Sequence, residues 1–176
     1  MVRELRTPVP DIVGPGIRVL FCGINPSLRS AETGQHFAHP GNRFWKVLHG
    51  SGFTPELLTP ADGGRLVDLG VGITNLVSRP TRAASELSRD ELRQGAEVLA
   101  STVATWQPQW VAVVGVGAYR SAFSRPRAEL GPQDERIGPA GLWLLANPSG
   151  LQARYQLDDL IEMYGRLRTA AWTEPA

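Results

Sequence analysis

The stretch VLFCGINPSL, residues 19 to 28, decides how the rest of the chain is read. Val19 to Cys22 form an unbroken apolar run, the signature of a strand covered on both faces. Glycine, an amide and a proline follow at once, so the backbone must turn and present one polar side chain, Asn25, at the strand's end. The run LLANPSGL, residues 144 to 151, makes the same break after another apolar segment. Four strands are predicted in all: Ile17 to Cys22, Gly70 to Thr74, Trp110 to Gly115 and Leu142 to Ala146.

Helical patterns lie between them. Asn42 to Gly50 carries Phe44, Trp45, Val47 and Leu48, a short segment able to cap a sheet. Ser88 and Glu91 form a capping box for a helix in which Leu92, Ala96, Leu99, Val103 and Trp106 recur at spacings of four and three, until Pro108 ends it. Gly117 to Phe123 reads as a short helix, and Leu157 to about Ala171 as an amphipathic one with Leu160, Ile161, Tyr164 and Leu167 inward. Alternating strands and helices give an α/β fold, a three-layer α/β/α sandwich around a mainly parallel central sheet of about four strands. Ligands of such sheets bind beyond the carboxyl ends of the strands, which here read GINPS, TNL, GVG and NPSG.

A chain of 176 residues fits one domain spanning 1–176, with 1–15 and 172–176 expected as loose termini. Hydrophobic residues make up 42% and charged residues 20%, yet no apolar run approaches the roughly 20 residues that cross a bilayer, so a soluble protein without membrane contact is expected. The start, MVRELRTPVPDIVGPG, lacks a continuous apolar core, and a cytoplasmic protein is the expectation. The single cysteine, Cys22, cannot build a disulfide or a cysteine cluster within the chain, and its place in an apolar strand predicts an inert, packed thiol. A net charge of +1 provides no global attraction to nucleic acid, although all but one of the Lys and Arg side chains are arginines, the better bidentate phosphate ligands.

The strand ends lack the common catalytic sets: no adjacent Ser-His-Asp, no HExxH, no phosphate loop. GVGAYR at 115 to 120 begins like a dinucleotide fingerprint, but Arg120 stands at the third glycine position, and Gly115 and Gly117 suit a tight strand-to-helix turn instead. Asn25 is the residue to explain. An amide cannot accept a proton near neutral pH, but it can hold a water molecule or donate to a ligand carbonyl. Such a group suits a reaction whose leaving group departs largely unaided, as in glycosidic cleavage through an oxocarbenium-like state. The alternative is an Asx-type turn before Pro26 with no chemical role.

FCGINPSL, FAHPGNRFWKVL at 37 to 48, GITNLV at 72 to 77 and ANPSGL at 146 to 151 together resemble the mismatch-specific uracil-DNA glycosylases, relatives of thymine-DNA glycosylase in the uracil-DNA glycosylase superfamily. The resemblance runs from about Ile17 to Arg168. It implies an α/β/α domain that flips a uracil opposite guanine out of the duplex and hydrolyses its N-glycosidic bond, with no metal or cofactor. Its implied partner is double-stranded DNA carrying mismatched or damaged bases, and a monomer is expected.

By that resemblance, Asn25 is the water-positioning catalytic residue, Phe37 stacks on the flipped base, and Ile24, Asn75 and Asn147 complete the base pocket. Ser149, Gly150 and Leu151 resemble an insertion loop whose apolar tip fills the gap left by the base, and Gln152 and Arg154 stand near the orphan partner. Arg79 and Arg82 are expected at phosphates, with Arg43 either there or structural within GNRFW. Without the resemblance, a core aromatic is the alternative for Phe37, and packing under the next helix is the commoner reading for Leu151. His36 and His39 are expected in loop hydrogen bonds, and Glu32 as a loop charge or a group at the site's mouth.

Two departures bear on specificity. The bacterial pattern has lysine where this chain has Asn75, as the thymine-active relatives do, and after Leu151 the chain reads QARY where serine and arginine usually follow. The expected activity is monofunctional removal of uracil from G:U mismatches, with ethenocytosine, and thymine opposite guanine, as related lesions. A broad uracil glycosylase acting on A:U pairs and single strands, and a catalytically weak lesion-binding protein, are the alternatives.

Overall fold

In the computed structural model, which describes residues 9–151 and 154–173, five strands form one sheet: β1 (Val19–Gly23), β2 (Val71–Asn75), β3 (Trp110–Val114), β4 (Gly131–Ile137) and β5 (Ala140–Leu145). Their order is β2-β1-β3-β5-β4, with β4 antiparallel to β5 and every other pair parallel. The helices are α1 (Leu28–Thr33), α2 (Phe44–Gly50), α3 (Arg89–Trp106), α4 (Val116–Ala122) and α5 (Leu157–Trp172).

Side-chain alternation along the strands sorts the core into two halves. Val19, Phe21, Val71, Ile73, Ala112, Val114, Trp143 and Leu145 face one side, where α2 and α5 cover them with Phe44, Leu48, Leu160, Tyr164 and Leu167. Leu20, Cys22, Val111, Val113, Leu142 and Leu144 face the other, against Leu92, Leu99, Val103 and Tyr119 of α3 and α4. The expected three layers are therefore present. Cys22 is fully buried, and burial pushes its thiol far above the usual range, consistent with an inert side chain.

The sheet has one strand more than the expected number. β4 reads GPQDERI and alternates between half-buried and exposed positions. An edge strand with one wet face contains no apolar run, so a search for such runs passes over it. α1 also departs from the loop expected around Glu32. It is a short helix capped by the Ser27 side chain and closed by Gly34 in the left-handed region at φ 68°.

Within the end segments expected to be loose, several described residues are packed. Val9 is buried, Ile12 bridges Ile73 in antiparallel fashion, and the Thr74 hydroxyl donates to Asp11 at 2.8 Å, so Asp11 and Ile12 lie along the free edge of β2. Trp172 belongs to α5 and packs edge-on against Phe53. Isolated pairings of this kind leave no periodic mark in the sequence.

The strand order places β2 and β3 on opposite sides of β1, so the chain leaves β1 and β3 in opposite directions. Their carboxyl ends therefore open a crevice, the usual ligand position in a parallel sheet.

Candidate active site

A cleft of about 300 Å³ lies at that crevice, lined among others by Ile24, Asn25, Phe37, Asn75, Asn147 and Leu151. The five predicted pocket residues and the predicted wedge thus share one cavity. Ser149 and Arg82 reach it as well.

Asn25 follows the end of β1. Its Nδ2 donates to the Arg79 carbonyl and to the Thr81 hydroxyl, both at 2.8 Å. The Arg79 carbonyl can only accept, and Thr81 commits its own hydrogen to the Ala83 carbonyl at 2.8 Å. The amide orientation is therefore fixed by its neighbours: both N–H groups are consumed, and Oδ1 is the atom left to accept from a ligand or water. An Asx turn, the alternative reading, would engage Oδ1 with the local backbone, whereas the observed contacts belong to Nδ2 and span more than 50 residues.

Phe37 adopts a backbone φ of 50°, a region that costs a non-glycine residue about 1 to 3 kcal/mol unless the surroundings hold it. Three contacts do. Its ring stacks on Phe44 with centroids 3.9 Å apart and planes 19° from parallel, Trp45 Nε1 donates to the His36 carbonyl at 3.2 Å, and the Ala38 amide donates to Ser30 Oγ at 3.1 Å. One ring face is braced by the core while Phe37 itself lines the cleft, so the residue belongs to the core on one side and to the cleft on the other.

Asn75 ends β2 directly opposite Gly23. A Cβ on Gly23 would lie 2.5 Å from Asn75 Oδ1 and 3.4 Å from Phe37 Cζ, so the glycine is what allows the amide and the ring to approach across the strand end. Ile24 turns its side chain to Gly115, and its carbonyl accepts from the Val77 amide at 3.0 Å. Gly115 caps α4 at φ 150°, a conformation that favours glycine, which accounts for the first glycine of GVG as a turn residue.

The 147–151 turn follows β5. Asn147 Oδ1 accepts from the Ser149 amide at 2.9 Å, so Nδ2 is the end of this amide available to donate into the cleft. Ser149 Oγ in turn accepts from the Leu151 amide at 3.3 Å. Leu151 stands 89% exposed at the rim, not packed beneath α5. Gly150 is exposed beside it, Gln152 lies outside the described residues, and Arg154 is exposed with its guanidinium over Tyr155.

The predicted arginines divide by partner. Arg82 is exposed at the cleft and makes no hydrogen bond or ion pair among the described residues. Arg79 instead forks onto Glu91, Nε to Oε1 at 2.8 Å and Nη2 to Oε2 at 3.1 Å. That contact, with a further bond from the Ser88 amide, holds the Glu91 carboxyl at a pKa of about 2. Arg43 spends its guanidinium on backbone carbonyls of the 147–155 segment. Glu32 is exposed on α1, 3.9 Å from Arg29.

One group at the cleft escaped sequence reading, and one makes the loop bond expected of it. Thr81 is buried and orients Asn25, but PTR carries no motif that marks it. His36 is buried with Nε2 2.8 Å from the Pro10 carbonyl, so that nitrogen carries the hydrogen, and burial lowers its pKa below the usual value. His39 makes the expected loop bond, its Nδ1 accepting from the Gly41 amide at 3.0 Å. Among the described residues, no group of three His, Cys, Asp or Glu side chains is placed to hold a metal ion, and no helix is long and apolar enough to cross a membrane.

Comparison with known proteins gives two findings. Residues 10–172 match the family model described as the uracil DNA glycosylase superfamily. The solution NMR structure of a candidate uracil DNA glycosylase from Methanosarcina acetivorans superposes with a TM-score of 0.59 at 14% identity, over 91% of this chain and 96% of that one. At that identity the likeness is one of fold.

Proposed function

The chain belongs to the uracil DNA glycosylase superfamily, and from that premise we propose that it is a monofunctional glycosylase that removes uracil mispaired with guanine. The observation that carries the reading is Asn25: an amide whose hydrogens are both consumed, leaving a carbonyl oxygen at the cleft. Related lesions, ethenocytosine and thymine opposite guanine, fall within the same proposal.

The steps follow from the groups present. A flipped uracil stacks on the open face of Phe37, with Asn75 and Asn147 offering amides to its polar edge. The bond between N1 and the anomeric carbon breaks, and its electron pair leaves with the base as an anion. Asn147 Nδ2 offers that anion a neutral hydrogen bond, weaker than a charged donor would give. Asn25 Oδ1 holds a water that adds to the sugar cation, and the water's proton passes to solvent. An oxocarbenium-like centre captures water without a strong base, so an asparagine suffices where a carboxylate is absent. Leu151 fills the space vacated in the stack, where an apolar wedge offsets an unstacking cost of a few kcal/mol. Arg82 suits a phosphate contact better than Arg79, whose guanidinium is already paired. The only lysine, Lys46, is exposed on α2 and is not a lining residue of the cleft, so base loss without strand nicking is expected.

Single-turnover cleavage of duplexes with G:U, A:U, G:T or ethenocytosine, and of single-stranded uracil DNA, tests this. Activity is expected on the mispairs, and Asn25→Ala is expected to lower the rate roughly 100-fold or more with lesion binding retained. Equal cleavage of A:U and single strands would move the chain to the broad class. Binding with no cleavage of any substrate would leave a lesion-binding protein.

A further inference from the structure

Arg43 stands at the N-cap of α2, one residue before Phe44, and it is tied to the far end of the chain by an unusual number of bonds. Its backbone amide donates to the Pro148 carbonyl at 3.0 Å. Its Nε donates to that same carbonyl at 3.3 Å, Nη2 to the Ser149 carbonyl at 3.0 Å, and Nη1 to the Tyr155 carbonyl at 2.6 Å. A rigid planar fork with five N–H donors can hold several carbonyls on both sides of a turn at once. The same junction is closed from the backbone: a Cβ at Gly150 would lie 2.5 Å from the Gly41 carbonyl, so the 147–151 turn rests directly on residues 41–43.

α2 also braces the stacking surface, since Phe44 lies under the Phe37 ring and Trp45 Nε1 holds the His36 carbonyl. One seven-residue helix and its cap therefore fix both the aromatic expected to take the flipped base and the turn that carries Leu151. We infer, resting on the glycosylase reading above, that Arg43 is a positioning residue that holds the 147–151 turn in its inserting geometry and sets its distance from the Phe37 surface. Its task is base extrusion, not the breaking of the glycosidic bond. The clamp keeps Leu151 presented to the duplex while Phe37 receives the base, so insertion and capture proceed from one rigid body. A turn that had to order itself on binding would lose part of its binding energy to that ordering.

The test separates flipping from chemistry and from folding. In an Asn25→Ala background, which retains the base, a 2-aminopurine beside a G:U uracil reports the flipped fraction at saturating protein. Arg43→Lys keeps the charge but not the fork, and Gly150→Ala opens the same junction from the opposite side. Both are expected to lower the flipping equilibrium roughly tenfold, the scale of a lost charge-assisted hydrogen bond, with the melting transition of the variants still cooperative and above the assay temperature. Flipping unchanged in both variants, alongside wild-type cleavage of G:U, overturns the clamp and leaves the glycosylase reading standing. A loss of signal that merely follows a loss of folded protein also overturns it. If wild type cleaves no substrate and Asn25→Ala with Arg43 intact gives no flipping signal, both readings fall together.

Discussion

Thr81 is a single hydroxyl with two obligations: it donates to the Ala83 carbonyl and accepts from Asn25 Nδ2. Thr81→Val keeps the shape and removes both bonds, so the amide of Asn25 loses one of the two partners that define which way Oδ1 faces. Single-turnover cleavage is expected to fall roughly tenfold, in keeping with about 1 to 3 kcal/mol for an unsatisfied buried polar group, while lesion binding changes little. An unchanged rate would mean that the Arg79 carbonyl alone is enough to orient Asn25. At this scale the sequence is legible only for residue type. It marks Asn25 as the polar group after a buried strand, but the atom presented to the cleft depends on carbonyls and hydroxyls 54 and 56 residues away.

Among the elements, α3 carries the sharpest test of propensity against packing. Gly95 lies inside this 18-residue helix, where alanine would ordinarily stabilise by roughly 1 kcal/mol. A Cβ there, however, would sit 2.2 Å from the Leu76 carbonyl oxygen, which belongs to the loop leaving β2 just beyond Asn75. Gly95→Ala is therefore expected to lower the melting temperature by several degrees, since backbone cannot give way as a side-chain tip can. A raised melting temperature would show that α3 can withdraw from the loop without cost. The helix itself was readable: the capping box forms, with Ser88 Oγ accepting from the Glu91 amide at 3.1 Å and Glu91 accepting from the Ser88 amide at 2.7 Å. α2, α4 and α5 also fall close to their predicted bounds. β4 and α1 were not readable, because an edge strand and a six-residue helix bury too little to impose a period.

For the molecule as a whole, His36 links stability to pH. Burial lowers its pKa below the ordinary value of 6.5, against smaller opposing effects of the Pro10 carbonyl and Asp11. The sign follows from linkage: below about pH 6.5 the unfolded chain binds a proton that the folded chain resists, so this contribution is complete above the unfolded pKa and declines as pH falls. The melting-temperature advantage of wild type over His36→Gln is expected to shrink between about pH 7.5 and pH 5.5. Parallel profiles for the two proteins would show that His36 takes up protons equally in the folded and unfolded chains over that range.

The amino-acid sequence by itself determined the four parallel strands, the helices with a strong apolar period, the convergence of amide-bearing loops on one sheet edge, and the motifs of the superfamily. These properties are local. An apolar run or a three-four spacing records how deeply a segment is buried, whatever it is buried against. Tertiary structure alone decided the orientation of the Asn25 amide, the commitment of Arg79 to Glu91 and of Arg43 to the 147–155 segment, and the bridge of Ile12 to Ile73. Each of these depends on which polar atoms the crossovers bring within about 3 Å of one another, and in the bonds Arg43 makes to the turn those atoms lie 105 or more residues apart. Burial is written along the chain, whereas the partner of a hydrogen bond is fixed only when distant segments meet.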